Sequence, residues 1–150
     1  MKTLSDVENE VDQLVDKLGN PIDKNIKQVV VALRYSGFNT TASCEGHLDH
    51  GFPYPWVDIR YKDSKSRENK KRRLSKYIKQ FYKTRESTHP LFLQDFADFR
   101  LQNVKWPRSA QKRKSHEEPR SQRLLVEYQK EMNEFTIFLL SIQSEDHRSI

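Results

Sequence analysis

Gly37-Phe38-Asn39-Thr40-Thr41-Ala42-Ser43-Cys44-Glu45-Gly46-His47-Leu48-Asp49-His50-Gly51-Phe52-Pro53-Tyr54-Pro55-Trp56-Val57-Asp58-Ile59-Arg60-Tyr61 divides the chain, because the hydrophobic period changes on crossing it. Phe38–Ser43 is rich in β-formers and too short for a helix, so it reads as a strand. Trp56–Tyr61 alternates apolar and polar side chains and reads as a second strand. Between them, Cys44–Pro55 holds two of the four glycines and two of the six prolines, the composition of a structured loop. The two strands can pair antiparallel with that loop at their ends.

Helices are expected on both sides. From Ser5 to Leu18, Val7, Val11, Leu14, Val15 and Leu18 form one stripe of a 3.6-residue period. Ser5-x-x-Glu8 has the form of a capping box, and Gly19-Asn20-Pro21 supplies a stop. A second helix is expected from Pro21–Asp23, with Ile22, Ile26, Val29, Val30 and Leu33 inward, until Ser36-Gly37. Beyond the strands, Leu74, Tyr77, Ile78, Phe81 and Tyr82 mark a basic third helix running to about Arg85. Asp98–Gln102 alternates as a strand, Leu91-Phe92-Leu93 is a candidate for another, and a last helix starts near Pro119. It carries Leu124, Leu125, Tyr128, Met132, Phe135, Phe138, Leu139 and Ile142 inward. The expected architecture is one α+β domain over residues 1–143, a small, largely antiparallel sheet packed by N-terminal, central basic and C-terminal amphipathic helices. A mobile basic loop is expected at about 107–119 and a frayed tail at 144–150.

The bulk properties narrow the function. A chain of 150 residues suits one domain, and with 32% charged residues and a mean hydropathy of −0.93 it contains no run long enough to span a bilayer. The N-terminus lacks the pattern of an export signal, and a single cysteine excludes an internal disulfide, which together point to the cytoplasm. The net charge of +6 is unevenly spread: residues 62–85 hold 11 Lys or Arg against two acids, and residues 1–25 hold six acids against three bases. A helix bearing Lys70, Lys71, Arg72, Arg73, Lys76, Lys79 and Lys83 attracts polyanions by counterion release, so RNA or another polyanion is the expected partner. Lys112-Arg113-Lys114 could act as a second clamp. The same lysines also serve a solvated helix in an ordinary soluble protein.

Reactive side chains crowd the loop after the first strand. Cys44, His47 and His50 are spaced as Cys-x2-His-x2-His, a set suited to a divalent metal such as zinc, with Asp49 or Asp58 available as a fourth ligand. Alternatively Cys44 is a nucleophile whose thiolate is stabilised by His47 or by a nearby cation, with Glu45 or Asp49 orienting the imidazole. In a third reading Ser43, the Gly46 backbone and His47 hydrogen-bond an anionic or nucleotide-like ligand, with Tyr54 and Trp56 as an aromatic wall. Three functions follow: a nucleic-acid-associated protein with a pocket at Ser43–His50, a metal-dependent hydrolase-like enzyme using Cys44, His47 and His50, or an adaptor or inhibitor without chemistry. His89 and His116 carry no motif and read as surface residues.

The order Ile22-Asp23, an apolar helix, Thr40-Thr41-Ala42-Ser43-Cys44-Glu45-Gly46-His47 and a strand opening Trp56-Val57 resembles the Ser-Cys-x-Gly region of the wybutosine-synthesising tRNA methyltransferases. The resemblance covers about 40 residues, with Thr41, Ser43, Cys44 and Gly46 matching the pattern and His47 standing where the family places arginine. It implies RNA contact, a nucleotide-sized pocket and S-adenosylmethionine as cofactor. The Ser-Cys-Glu-Gly-His loop before Pro-Trp-Val is also similar to loops of uncharacterised bacterial and phage proteins.

Overall fold

In the computed structural model, which describes residues 2–95, 97–104 and 119–148, the elements run α1 (Leu4–Asp12), α2 (Lys27–Tyr35), β1 (Asn39–Cys44), β2 (Trp56–Arg60), α3 (Ser64–Tyr82), β3 (Phe92–Asp95), β4 (Phe99–Gln102) and α4 (Pro119–Arg148). The fold is α+β: one four-stranded antiparallel sheet, ordered β1-β2-β4-β3, with helices on one face.

Strand alternation sorts the sheet into two chemistries. Val57, Ile59, Phe99 and Leu101 point to the core, where they meet Val29, Ala32 and Leu33 of α2, Leu74 and Phe81 of α3, and Met132, Phe135 and Leu139 of α4. The opposite face receives Trp56, Asp58, Arg100 and Gln102. Helix α2 is buried almost all round because a second cluster, Val7 and Val11 of α1, covers its Val30 and Val31. Full burial of one such aliphatic or aromatic side chain is worth about 1.5–3 kcal/mol, so the two clusters carry most of the helix docking.

Helix α1 begins and ends elsewhere than the sequence pattern suggests. Its cap is Thr3, whose hydroxyl accepts the Asp6 N–H at 3.1 Å while Asp6 Oδ2 accepts the Thr3 N–H at 3.0 Å, so the capping box is Thr3/Asp6 rather than Ser5/Glu8. The helix stops at Asp12 rather than Leu18. Asp16 Oδ1 accepts the N–H groups of Leu18 and Asn20, an alternative to helical bonding that closes a turn through Gly19, and Val15 pairs with Pro21. Val15 and Leu18 are consequently exposed rather than inward.

Helix α2 starts at Lys27, which leaves Pro21–Asp23 as an irregular segment against the sheet. Its C-terminus ends in a Schellman arrangement: Phe38 N–H donates to the Leu33 carbonyl and Gly37 N–H to that of Arg34, with Gly37 at φ +91°. Helix α4 runs through residues 144–148, where a frayed tail is expected from composition, and the other strand and helix expectations hold to within a few residues. The basic segment 107–119, with Lys112-Arg113-Lys114 and His116, lies outside the described residues except for Pro119, which opens α4. No helix among the described residues is long and apolar enough to cross a membrane.

Candidate functional site

Strand β1 delivers Cys44 to the end of the sheet opposite Trp56, and Gly46 then turns the chain. Gly46 has φ +90°, and a Cβ there would stand 2.6 Å from Leu125 Cδ1 and 2.8 Å from the Tyr54 carbonyl carbon. The loop is thus seated against α4 and against its own return limb. It is pinned further where Gln129 Nε2 donates to the Glu45 carbonyl at 2.8 Å and His47 N–H to the Phe52 carbonyl at 2.9 Å. The space beside Gly46 is filled, and its N–H donates to Cys44 Sγ at 3.4 Å, so Gly46 does not form the anion-binding backbone that the sequence suggests.

What the loop gains instead is Asp23. Its Oδ2 accepts the Glu45 N–H at 3.1 Å and lies 3.3 Å from His47 Nε2. Asp23, Cys44 and His47 offer a carboxylate oxygen, a sulfur and a ring nitrogen that all fall within 4.8 Å of one another, each side chain half-buried. Asn25 Nδ2 donates to Glu45 Oε2 at 2.6 Å and anchors the neighbouring carboxylate. His50 does not join this group: its ring stacks on that of His47 at 4.2 Å and its Nδ1 lies 2.7 Å from Asp49 Oδ1, which occupies Asp49 as well. The alternative fourth ligand, Asp58, is held by Arg100 through Nε at 2.6 Å and a second guanidinium nitrogen at 3.1 Å.

Burial pushes the Cys44 thiol above its ordinary range, and the charges of Asp23 and Glu45 push it further, against lowering by the Gly46 N–H and Arg100. That environment disfavours a free thiolate nucleophile. The Asp49 carboxyl is held below its usual range by the bond to His50.

A groove of about 740 Å³ runs beside this cluster, between the 14–24 segment and β1. Thr41, Ser43 and Glu45 line it together with Asp23 and Arg34. Arg34 is itself committed to Thr40, donating to its hydroxyl and its carbonyl at 2.7 Å each. Thr41, the extra residue of a bulge in β1, donates to Asp98 Oδ2 at 3.1 Å. The aromatic wall expected from Tyr54 and Trp56 does not form: Tyr54 is fully buried beside Phe52, and the Arg100 guanidinium lies 3.9 Å from the Trp56 ring centroid.

The seven cations that the sequence assigns to a polyanion-binding face divide into two sets, while Arg67 of the same helix pairs with Glu68 and Asp95. Lys70 donates to the Gly37 carbonyl, Lys71 pairs with Asp95 at 2.9 Å, and Arg73 donates to the Ser36 carbonyl while lying over Phe38 and Tyr77. These three hold α3 to the end of α2 and to β3. Arg72, Lys76, Lys79 and Lys83 are exposed, and none pairs with a described residue. His89 is half-buried against Glu127 and Tyr128 rather than free on the surface.

Asp23, Asn25, Arg100 and Gln129 are the site residues that sequence reasoning did not assign. Only the Ile22-Asp23 pair of the family resemblance hinted at one of them. No family model, curated protein or solved structure matches this chain.

Proposed function

We propose that the protein binds the sugar-phosphate backbone of a nucleic acid, RNA in preference to DNA, along the outer face of α3. The observation that carries this reading is the stripe Arg72, Lys76, Lys79 and Lys83: spaced four, three and four residues apart, these side chains share one helix face, all exposed and without a described acidic partner. At 1.5 Å per residue the stripe extends about 16 Å, long enough to follow several successive phosphates of one strand. The separation of cations into those that brace the fold, Arg67, Lys70, Lys71 and Arg73, and four that face solvent favours a binding surface over uniform solubilising charge. The resemblance to tRNA-modifying enzymes around Cys44 gives RNA its preference.

The test is binding to bulk tRNA and to duplex DNA of matched length across a salt series. Four phosphate contacts give a log–log salt slope of about −3 on single-stranded segments and about −3.6 on B-DNA. Arg72→Glu/Lys76→Glu/Lys79→Glu should shrink the slope by about one for each charge removed. Equal affinity and equal slope for wild type and variant would overturn the proposal, and a preference for duplex DNA would overturn its choice of RNA.

A further inference from the structure

The structure assigns a divalent-metal site of the zinc class to Asp23, Cys44 and His47. It stands apart from the nucleic-acid reading, since none of its residues lies on α3.

The donor set selects the ion. One thiol sulfur, one imidazole nitrogen and one carboxylate oxygen suit zinc and its borderline neighbours, whereas magnesium and calcium require oxygen ligands. The Asp23 Oδ2 to His47 Nε2 separation of 3.3 Å equals the edge of a tetrahedron with metal–ligand bonds of about 2.0–2.1 Å. The sulfur lies within 4.8 Å of both other donors, so side-chain movements of little more than about 1 Å close the set to the edge of about 3.6 Å that zinc–sulfur and zinc–nitrogen bonds require.

Charge closes it too. A dication bound by one carboxylate and one thiolate is neutral as a unit, so its half-buried setting costs little desolvation. Without the ion, Asp23 and the adjacent Glu45 carboxylate leave the cluster negative. Binding forms a metal–sulfur bond as the Cys44 S–H bond breaks, and that proton goes to water. His47 would coordinate through Nε2, which leaves its ring proton to Nδ1.

The surroundings hold the donors in place. Glu45 N–H orients Asp23, Gly46 N–H points at the sulfur, and Gln129 and the Phe52 carbonyl fix the loop that carries His47. Such outer contacts set ligand orientation in metal sites. With three protein donors, a tetrahedral ion keeps one position for water or a ligand, the pattern of catalytic rather than structural zinc. Asp23 and Glu45 also line the 740 Å³ groove, so a small molecule in that groove would lie beside the ion.

Cobalt(II) gives a direct test, because Cys44 is the chain's single cysteine and any thiolate-to-cobalt charge-transfer band must come from it. The 150-residue chain, stripped with a chelator, should take up one equivalent of cobalt with that band and the intense visible spectrum of a tetrahedral ion, and should surrender the spectrum to zinc. Asp23→Asn and His47→Ala should each weaken cobalt binding at least a hundredfold, Cys44→Ser should abolish the charge-transfer band, and His50→Ala, which removes only the ring stacked on His47, should weaken binding by no more than about tenfold and leave the band in place. Circular dichroism of each variant confirms folding, and Asp23→Asn keeps the test available if Cys44→Ser does not fold. Absence of the band in the wild type, or indifference of affinity to both Asp23→Asn and His47→Ala, would overturn the assignment. Equal damage from His50→Ala and His47→Ala would overturn the choice of ligands.

Discussion

Asp23 Oδ2 lies 3.3 Å from His47 Nε2, joining an irregular segment before α2 to the loop after β1. Together with the Glu45 N–H bond to the same oxygen and the Asn25–Glu45 bond, this contact ties the segment to the loop and brings a carboxylate to the only cysteine. It rests on the loop's seat against α4, and that seat is where substitutions should be most informative.

Gly46→Ala should destabilise the fold by about 2–4 kcal/mol, since a Cβ at φ +90° is strained and collides with Leu125 and the Tyr54 backbone. Adding Leu125→Ala relieves the side-chain clash but not the backbone one, so urea unfolding should show only partial recovery.

Gln129→Ala should leave the fold intact but loosen the loop by removing the donor to the Glu45 carbonyl. Its cobalt affinity should fall about tenfold, the size typical of lost outer-shell contacts, while the spectrum keeps its shape.

Arg73→Ala should lower stability by about 1–2 kcal/mol, because the guanidinium satisfies the Ser36 carbonyl beyond α2 and covers Phe38 and Tyr77. Its effect on the nucleic-acid salt slope should be small. Lys76→Ala should do the reverse, lowering the slope with unfolding unchanged to within about 0.5 kcal/mol.

Glu131 predicts acid sensitivity. Burial alone would raise its carboxyl, but hydrogen bonds from Arg85, Ser87 and Tyr82 outweigh that and hold it below the ordinary value of about 4.3. A carboxyl depressed in the folded state contributes stability that is fully present above its unfolded pKa and is lost as pH falls through its folded one. Glu131→Gln should therefore cost about 2–3 kcal/mol at pH 7, the one-third exposure of Arg85 keeping this at the low end for a buried pair. Denaturant midpoints measured from pH 6 down to pH 3 should fall less steeply in the variant than in the wild type. Asp95, lowered first by its bond to Lys71, acts with the same sign, more weakly because it is exposed.

The sheet's inner pattern was legible from residues alone. Val57 and Ile59 alternate with Trp56 and Asp58 whatever the partner strand, and the stripe of α3 repeats at 3.6 residues, because backbone geometry imposes both periods locally. The Cys44–His47 loop was legible as a concentration of reactive groups at a strand end. Residues 14–18 were misread for a local reason of a different kind: Val15 and Leu18 continue the helical period, but Asp16 captures the N–H groups that the helix would have used.

Composition and periodicity determined the α+β class, the antiparallel strand pair, the basic helix and the loop that carries Cys44 and His47. Tertiary structure alone decided that Asp23 replaces His50 beside them, that Gly46 is filled rather than open, and which cations of α3 brace the fold and which meet solvent. The physical reason is range. Periodicity acts over one or two turns of chain, whereas Asp23 and His47 are 24 residues apart and Gln129 and Glu45 are 84 apart, so their meeting depends on how whole elements pack.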